Sequence, residues 1–160
     1  MKDTLRAEGK VFVNGGSVGT SIWATQFAKA LGVEVTAIWS TKNIDLCRQL
    51  GADEVIDYRA QDAMAELKSK GKLFDLVIDN IGISSELYEI SSIILKPGGT
   101  FVMVGVGESL SLSGTFAMIG MHLYPSIRSG QQYHFVQMKN TTDIFGTLET
   151  GWWRGRNICF

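Results

Sequence analysis

Glycines stand at positions 15, 16 and 19 of the run VFVNGGSVGTSIWATQFAKALG, Val11 to Gly32, with hydroxyls at Ser17 and Thr20 beside them. A bend of that composition lets backbone N–H groups approach an anion with no side chain intervening. The helical pattern that follows adds the unpaired N–H groups and positive end of a helix N-terminus. The chemistry this suits is the cradling of a phosphate. The strict G-x-G-x-x-G fingerprint is not met, because the glycines fall at Gly15, Gly16 and Gly19 and Ser21 takes the last glycine's position. A bare turn between two packed elements would use the same glycines, so the surrounding elements decide between the two.

A second group follows in AIWSTKN, where Ser40, Thr41 and Lys42 close an apolar run. An Asp or Glu at that place would bond a ribose 2′-hydroxyl and repel a 2′-phosphate. Two hydroxyls and a cation suit the 2′-phosphate of NADP better than the bare ribose of NAD. Ser40 or Thr41 could also cap a helix beginning near Lys42, and the two roles are compatible.

The elements that must position these groups alternate along the chain. KVFVN, VEVTAIW, DEVIDY, FDLVIDN and TFVMVG are short, rich in Val and Ile, and closed by Gly, Asn or Asp, the pattern of buried strands. Between them, Thr20 to Leu31, Lys42 to Leu50, Ala60 to Lys70 and Ser84 to Leu95 are long enough for crossover helices. In the first, Trp23, Phe27, Ala30 and Leu31 share one face and Gln26 and Lys29 fall on another. Lys96, Pro97, Gly98 and Gly99 stop the fourth helix and turn the chain into the next strand. Strict β-α alternation predicts a parallel sheet with right-handed crossovers and helices on both faces. The fold class is therefore α/β, a doubly wound sheet. QQYHFVQMK alternates as a sixth strand and Thr141 to Glu149 reads as a short helix, giving about six strands in all. Residues 1–150 form the nucleotide-binding domain on this reading, and 151–160, GWWRGRNICF, a divergent tail whose Trp152 and Trp153 are either an interaction anchor or former core.

Composition narrows the function classes. The chain has 160 residues, 45% hydrophobic, with 15 Lys and Arg against 16 Asp and Glu in no like-charged block, so neither nucleic acid nor a membrane surface is an expected partner. No secretory signal or membrane span is present in the sequence, which makes the cytoplasm the expected location. Cys47 and Cys159 read as unpaired thiols, and no Cys or His, with histidines only at His122 and His134, stands at metal-ligand spacing. Asp75 and Asp79 read as turn and strand-end residues rather than an acid/base pair. No G-x-S-x-G elbow supports a hydrolase. A methyltransferase could share LKPGG, but would carry an acidic residue where Ser40 and Lys42 stand.

Taken together, NGGSVGTSIWATQFAKALG, STKNIDLCRQLGADEVIDYR, FDLVIDNIG and LKPGGTFVMVGVG resemble the cofactor-binding domain of the medium-chain dehydrogenase/reductase superfamily, a Rossmann fold. The nearest branch by resemblance is the zinc-independent, quinone oxidoreductase-like one, in its fungal type. The similarity runs from Val11 to about Gly107, and YHFVQMKNTTDI extends it in part to about Leu148. The resemblance implies NADP(H) as cofactor, with Gly16, Ser17, Val18, Gly19 and Thr20 at the pyrophosphate. It places Ser40, Lys42 and Tyr58 at the 2′-phosphate, and Asn80 with Val104, Gly105 and Val106 at the ribose and nicotinamide. Val18 and Ser21 depart from the family's small residues and glycine at the bend. Family members also carry a catalytic domain built from a long region before this one and a shorter segment after it, which these residues do not contain. The expected function is hydride transfer from NADPH to a quinone or enone if a substrate site is completed. The alternative is a non-catalytic relative acting as a nucleotide-binding or protein-interaction module. The sixth strand offers an edge for pairing two copies as a homodimer.

Overall fold

The computed structural model describes residues 8–15, 19–81, 85–105 and 131–137. Six strands, β1 (Lys10–Asn14), β2 (Glu34–Trp39), β3 (Glu54–Asp57), β4 (Phe74–Asp79), β5 (Leu95–Gly105) and β6 (Gln132–Gln137), alternate with α1 (Gly19–Ala30), α2 (Ile44–Gln49), α3 (Ala63–Lys70) and α4 (Ser85–Ile94). All five strand pairings are parallel, in the order β3-β2-β1-β4-β5-β6. The doubly wound α/β expectation is met.

Alternate strand residues divide the core into two layers, because successive side chains of a strand point to opposite faces. Val11, Val13, Val35, Ala37 and Trp39 pack with Ala28 of α1 and Cys47 of α2 on one face. Phe12, Ile38, Ile56, Phe74, Val77 and Phe101 pack with Ala63 and Leu67 of α3 and Leu87, Ile90 and Ile94 of α4 on the other. From β1 the chain winds outward through α1 and α2 to β3, then returns beside β1 as β4 and winds the other way. Right-handed crossovers in opposite directions put the two helix pairs on opposite faces. The strand order thus reverses between β1 and β4, and the crevice at the carboxyl ends of those strands is the place such sheets offer a ligand.

Several boundaries differ from the sequence expectation for identifiable reasons. The segment Lys42 to Leu50 is split, with a 3-10 turn over Thr41–Asn43 followed by the six-residue α2. The third helix begins at Ala63, not Ala60, because the Asp62 side chain accepts from the N–H groups of Met64 and Ala65, both at 3.0 Å, and fixes the first turn there. Lys96 to Gly99 lies inside β5 as an irregularity of its register: Phe74 pairs with Leu95 and Leu76 with Thr100, and Gly98 takes φ +78°. On α1 the buried residues are Ser21, Thr25 and Ala28, whereas Phe27 and Leu31 of the apolar stripe are exposed and Trp23 stacks on Phe27. Small side chains on the inner face let the helix lie close to β1. The sixth strand is confirmed as Gln132–Gln137, and Tyr133 on it meets Tyr88 edge to ring and Phe101 in a tilted arrangement. Thr141 to Glu149 and the tail with Trp152 and Trp153 lie outside the described residues.

Candidate functional site

At the switch point the ends of β1 and β4 are tied together. The buried Asn14 donates through Nδ2 to Asp79 Oδ1 at 2.9 Å, and the same oxygen accepts from Ile81 N at 3.0 Å. Asn80 returns the tie, its N and Nδ2 donating to the Asn14 carbonyl at 3.2 and 3.3 Å. Asp79 is thus a strand-ending residue, and Asp75 is a clamp that accepts from Lys10 N and Lys96 Nζ, each at 2.8 Å.

Gly15 leaves β1 with φ +93°, a left-handed conformation that costs any other residue strain. A Cβ there would stand 2.9 Å from Ile81 Cγ1 and 3.4 Å from Asn80 Cβ. The bend is also clasped from the helix side: Ser21, fully buried, donates its hydroxyl to the Gly15 carbonyl at 2.6 Å. A serine in place of the fingerprint's glycine therefore faces inward and braces the bend. Gly16, Ser17 and Val18 lie outside the described residues. Gly19 opens α1 and is exposed, and a Cβ built on it would meet no atom within 4 Å. Gly19 and Thr20 begin the first turn of α1, where the N–H groups of a helix start have no partner within the helix.

The second corner lies at the carboxyl ends of β2 and β3, where Trp39 pairs with Asp57. Ser40 is extended, with φ −83° and ψ 152°, and makes no capping bond, and neither does the Asn43 side chain. Capping of the following helix by Ser40 is therefore not its role. The Thr41 hydroxyl instead donates to the Asp57 carboxylate, which also accepts from Arg59 N at 2.9 Å. The Thr41 hydroxyl and the Arg59 N–H hold this carboxyl below the usual carboxylate range, so Asp57 is ionised at neutral pH. Tyr58 N donates to the Trp39 carbonyl at 3.3 Å, while the Tyr58 ring is half exposed with the Arg59 guanidinium 5.8 Å from its centre. Lys42 is exposed one residue beyond Thr41.

On the other side of the switch point, β5 runs past the end of β4: Asp79 pairs with Met103, and Val104 and Gly105 continue beside Val136 and Gln137 of β6. Val106 lies outside the described residues. Ser40, Lys42, Tyr58, Asn80, Val104 and Gly105 thus all stand at the carboxyl edge of the sheet with Gly19 and Thr20. Asn80 is bonded to Asn14, the residue before Gly15, and Thr41 and Asp57 join the Lys42 and Tyr58 loops. Sequence reasoning did not single out Asn14 or Arg59; the only signal for the latter is its place directly after Tyr58.

Other reactive groups are placed elsewhere. Cys47 is buried on the inner face of α2, and burial pushes its thiol up to about 12. Among the described residues, no group of three His, Cys, Asp or Glu side chains converges as a metal site, and no helix is long and apolar enough to cross a membrane.

Comparison with known proteins agrees with this geometry. The zinc-binding dehydrogenase family matches residues 19–148. A trans-enoyl reductase of Aspergillus terreus is 50% identical over 96 residues, covering 60% of this chain and 27% of that protein. The solved quinone oxidoreductase of Coxiella burnetii superposes with a TM-score of 0.67 at 21% identity, over 92% of this chain and 42% of that one. The Escherichia coli quinone oxidoreductase complexed with NADPH does so with a TM-score of 0.58 at 19% identity, over 84% and 39%. The two structures show a shared fold. The chain spans well under half the length of each of these relatives.

Proposed function

This chain belongs to the zinc-binding dehydrogenase family of the medium-chain dehydrogenase/reductase superfamily, whose relatives include enoyl and quinone reductases, and we propose that it binds NADP(H) at the switch point. The observation that carries the choice of NADP(H) is the corner after β2, where the Ser40 side chain makes no capping bond, Lys42 is exposed, and the segment Ser40 to Asn43 has no acidic residue. The residues fit a dinucleotide: an exposed glycine at a helix N-terminus, a braced glycine bend, and a cationic corner one strand away.

On this reading the free N–H groups at the start of α1 hold the pyrophosphate, with Gly16, Ser17, Val18 and Thr20 alongside Gly19. Ser40, Lys42 and Tyr58 hold the 2′-phosphate. Asn80, fixed by its two bonds to Asn14, and Val104, Gly105 and Val106 line the ribose and nicotinamide end. When bound, the cofactor supplies a hydride, and the protein's part is to orient it and to keep water from its reactive face. The substrate class that fits the family membership is a conjugated carbonyl or quinone. The zinc-independent branch is part of the proposal, resting on Cys47, Cys159, His122 and His134, which show no ligand spacing. So are the extent of the domain, residues 1–150 with a divergent tail at 151–160, a cytoplasmic location, and pairing of two copies through the β6 edge, where Val136 is 46% exposed.

Calorimetric titration with NADPH and NADH tests the site. Micromolar NADPH binding, weaker NADH binding and loss of the preference in Lys42→Glu support it, and no heat with either nucleotide from the folded chain refutes it. Reduction of a quinone or enone by bound NADPH makes the chain an enzyme by itself; binding without turnover makes it a nucleotide-binding module. Light scattering after size exclusion decides whether two copies associate.

A further inference from the structure

The ion pairs of this protein are distributed unevenly. Lys10, Lys29, Arg48, Lys68, Lys70 and Lys96 each lie within 4.0 Å of a carboxylate oxygen. The lysines and arginines that pair with none, among the described residues, are Lys42, Arg59 and Lys72. Lys72 sits alone in the turn leading into β4. Lys42 and Arg59 stand together at one corner, on the loops leaving the adjacent strands β2 and β3, which Thr41 and Asp57 fasten to each other.

The carboxylate that stands between these loops, Asp57, neutralises neither cation. Asp57 accepts from the Thr41 hydroxyl and from Arg59 N, so its oxygens are engaged by groups that fix the loops and not by the Lys42 ammonium or the Arg59 guanidinium. The guanidinium lies instead over the Tyr58 ring, 5.8 Å from its centre. That stacking restricts a long side chain and leaves the planar fork of N–H donors for an anion. Two unpaired cations on adjoining loops repel each other in the free protein, and a dianion bound between them converts that repulsion into attraction.

We propose that Arg59 is a specificity-determining residue of this corner, a second cation that joins Lys42 in recognising the 2′-phosphate, with Asp57 as the positioning residue that holds the two loops together. The assignment rests on the NADP(H) reading and adds to it a residue from the β3 loop. It makes the preference for a 2′-phosphorylated nucleotide a property of two strands, and so of their relative placement.

The test compares 2′,5′-ADP with 5′-ADP, which differ only in the 2′-phosphate, by calorimetry on the chain and on Arg59→Gln, Arg59→Lys and Lys42→Gln. Arg59 is exposed, so thermal melts of the variants are expected to match the parent. The expected result is a preference for 2′,5′-ADP that falls about tenfold in Arg59→Gln, the scale of one lost charge-assisted hydrogen bond, with 5′-ADP affinity unchanged. Arg59→Lys should keep part of the preference, and raised salt should narrow the gap between parent and Arg59→Gln. Equal weakening of both nucleotides would make Arg59 a general stacking or structural residue and overturn the assignment. A preference lost in Lys42→Gln but intact in Arg59→Gln would also overturn it while leaving the NADP(H) reading standing. A parent chain that binds the two nucleotides equally, or neither, removes that reading and the assignment with it.

Discussion

The two ends of the parallel sheet handle charge in opposite ways. At the amino ends of the strands, acidic side chains are satisfied by lysines and backbone N–H groups of neighbouring elements: Glu34 by Lys10 at 2.6 Å, Asp75 by Lys96 and Lys10 N, Glu54 by Lys70 at 2.6 Å, and Asp53 by Lys29 and Val35 N. At the carboxyl ends, the carboxylates Asp57 and Asp79 bond loop N–H groups, Asn14 and Thr41, while Lys42 and Arg59 are left unpaired. The first arrangement closes an edge. The second braces the backbone and leaves donors and positive charge facing out, which is what an anionic ligand at a switch point requires. Stability and binding are thus assigned to opposite ends of the same strands, and variants should separate them.

The largest effect should come where the carboxyl end depends on backbone geometry. Gly15→Val forces a branched side chain into φ +93° with its Cβ 2.9 Å from Ile81 Cγ1. Denaturant unfolding should show a loss of about 3 kcal/mol, and nucleotide binding should fail with it. A variant of parental stability would mean that the bend is not held as described. At the amino end, Asp75→Ala removes the acceptor of Lys10 N and Lys96 Nζ. It should cost about 1.5 kcal/mol and leave nucleotide affinity unchanged, so a loss of binding there would break the division between the two ends.

Lys42→Glu should do the converse, lowering NADPH affinity about tenfold or more with an unaltered melting temperature. Asp57→Asn sharpens the contrast through pH. Because Asp57 titrates below the ordinary carboxylate value when folded, its stabilisation is complete above the unfolded value of about 3.9 and lost as pH falls through the folded one. The melting temperatures of parent and Asp57→Asn should therefore differ at neutral pH and converge on acidification; a constant difference would remove the charge from the explanation. The smallest effect is expected at Arg48, which approaches Asp45 at 4.0 Å with both side chains largely exposed: Arg48→Ala should stay within about 0.5 kcal/mol.

How far the site could be read from residues alone varies from one position to the next. Gly15 and Gly19 were legible because few residues tolerate a bend followed at once by a helix, and Lys42 because its place after β2 follows from element order. Ser21 reads as a departure from a fingerprint, and only its burial and its 2.6 Å bond to the Gly15 carbonyl show it as a brace. The apolar stripe of Trp23, Phe27 and Leu31 has clear helical spacing, yet spacing states that a face exists and not which way it turns. Small Ser21, Thr25 and Ala28 won the inner position because α1 must lie close to β1.

By itself the sequence determined the alternation of strands and helices, hence a parallel doubly wound sheet, and the residues that end each strand. Those properties are local: β-branched runs, glycine and proline punctuation, and period act over a few neighbours. The tertiary structure alone decided which charges are paired and which are free. Asp53 bonds Lys29, 24 residues away, Asp75 accepts from Lys10 N, 65 residues away, and Asp57 accepts from Thr41 and not from the neighbouring cations, because strand order and register set which loops meet. Whether a lysine closes an edge or waits for a phosphate depends on that meeting, which no short stretch of chain contains.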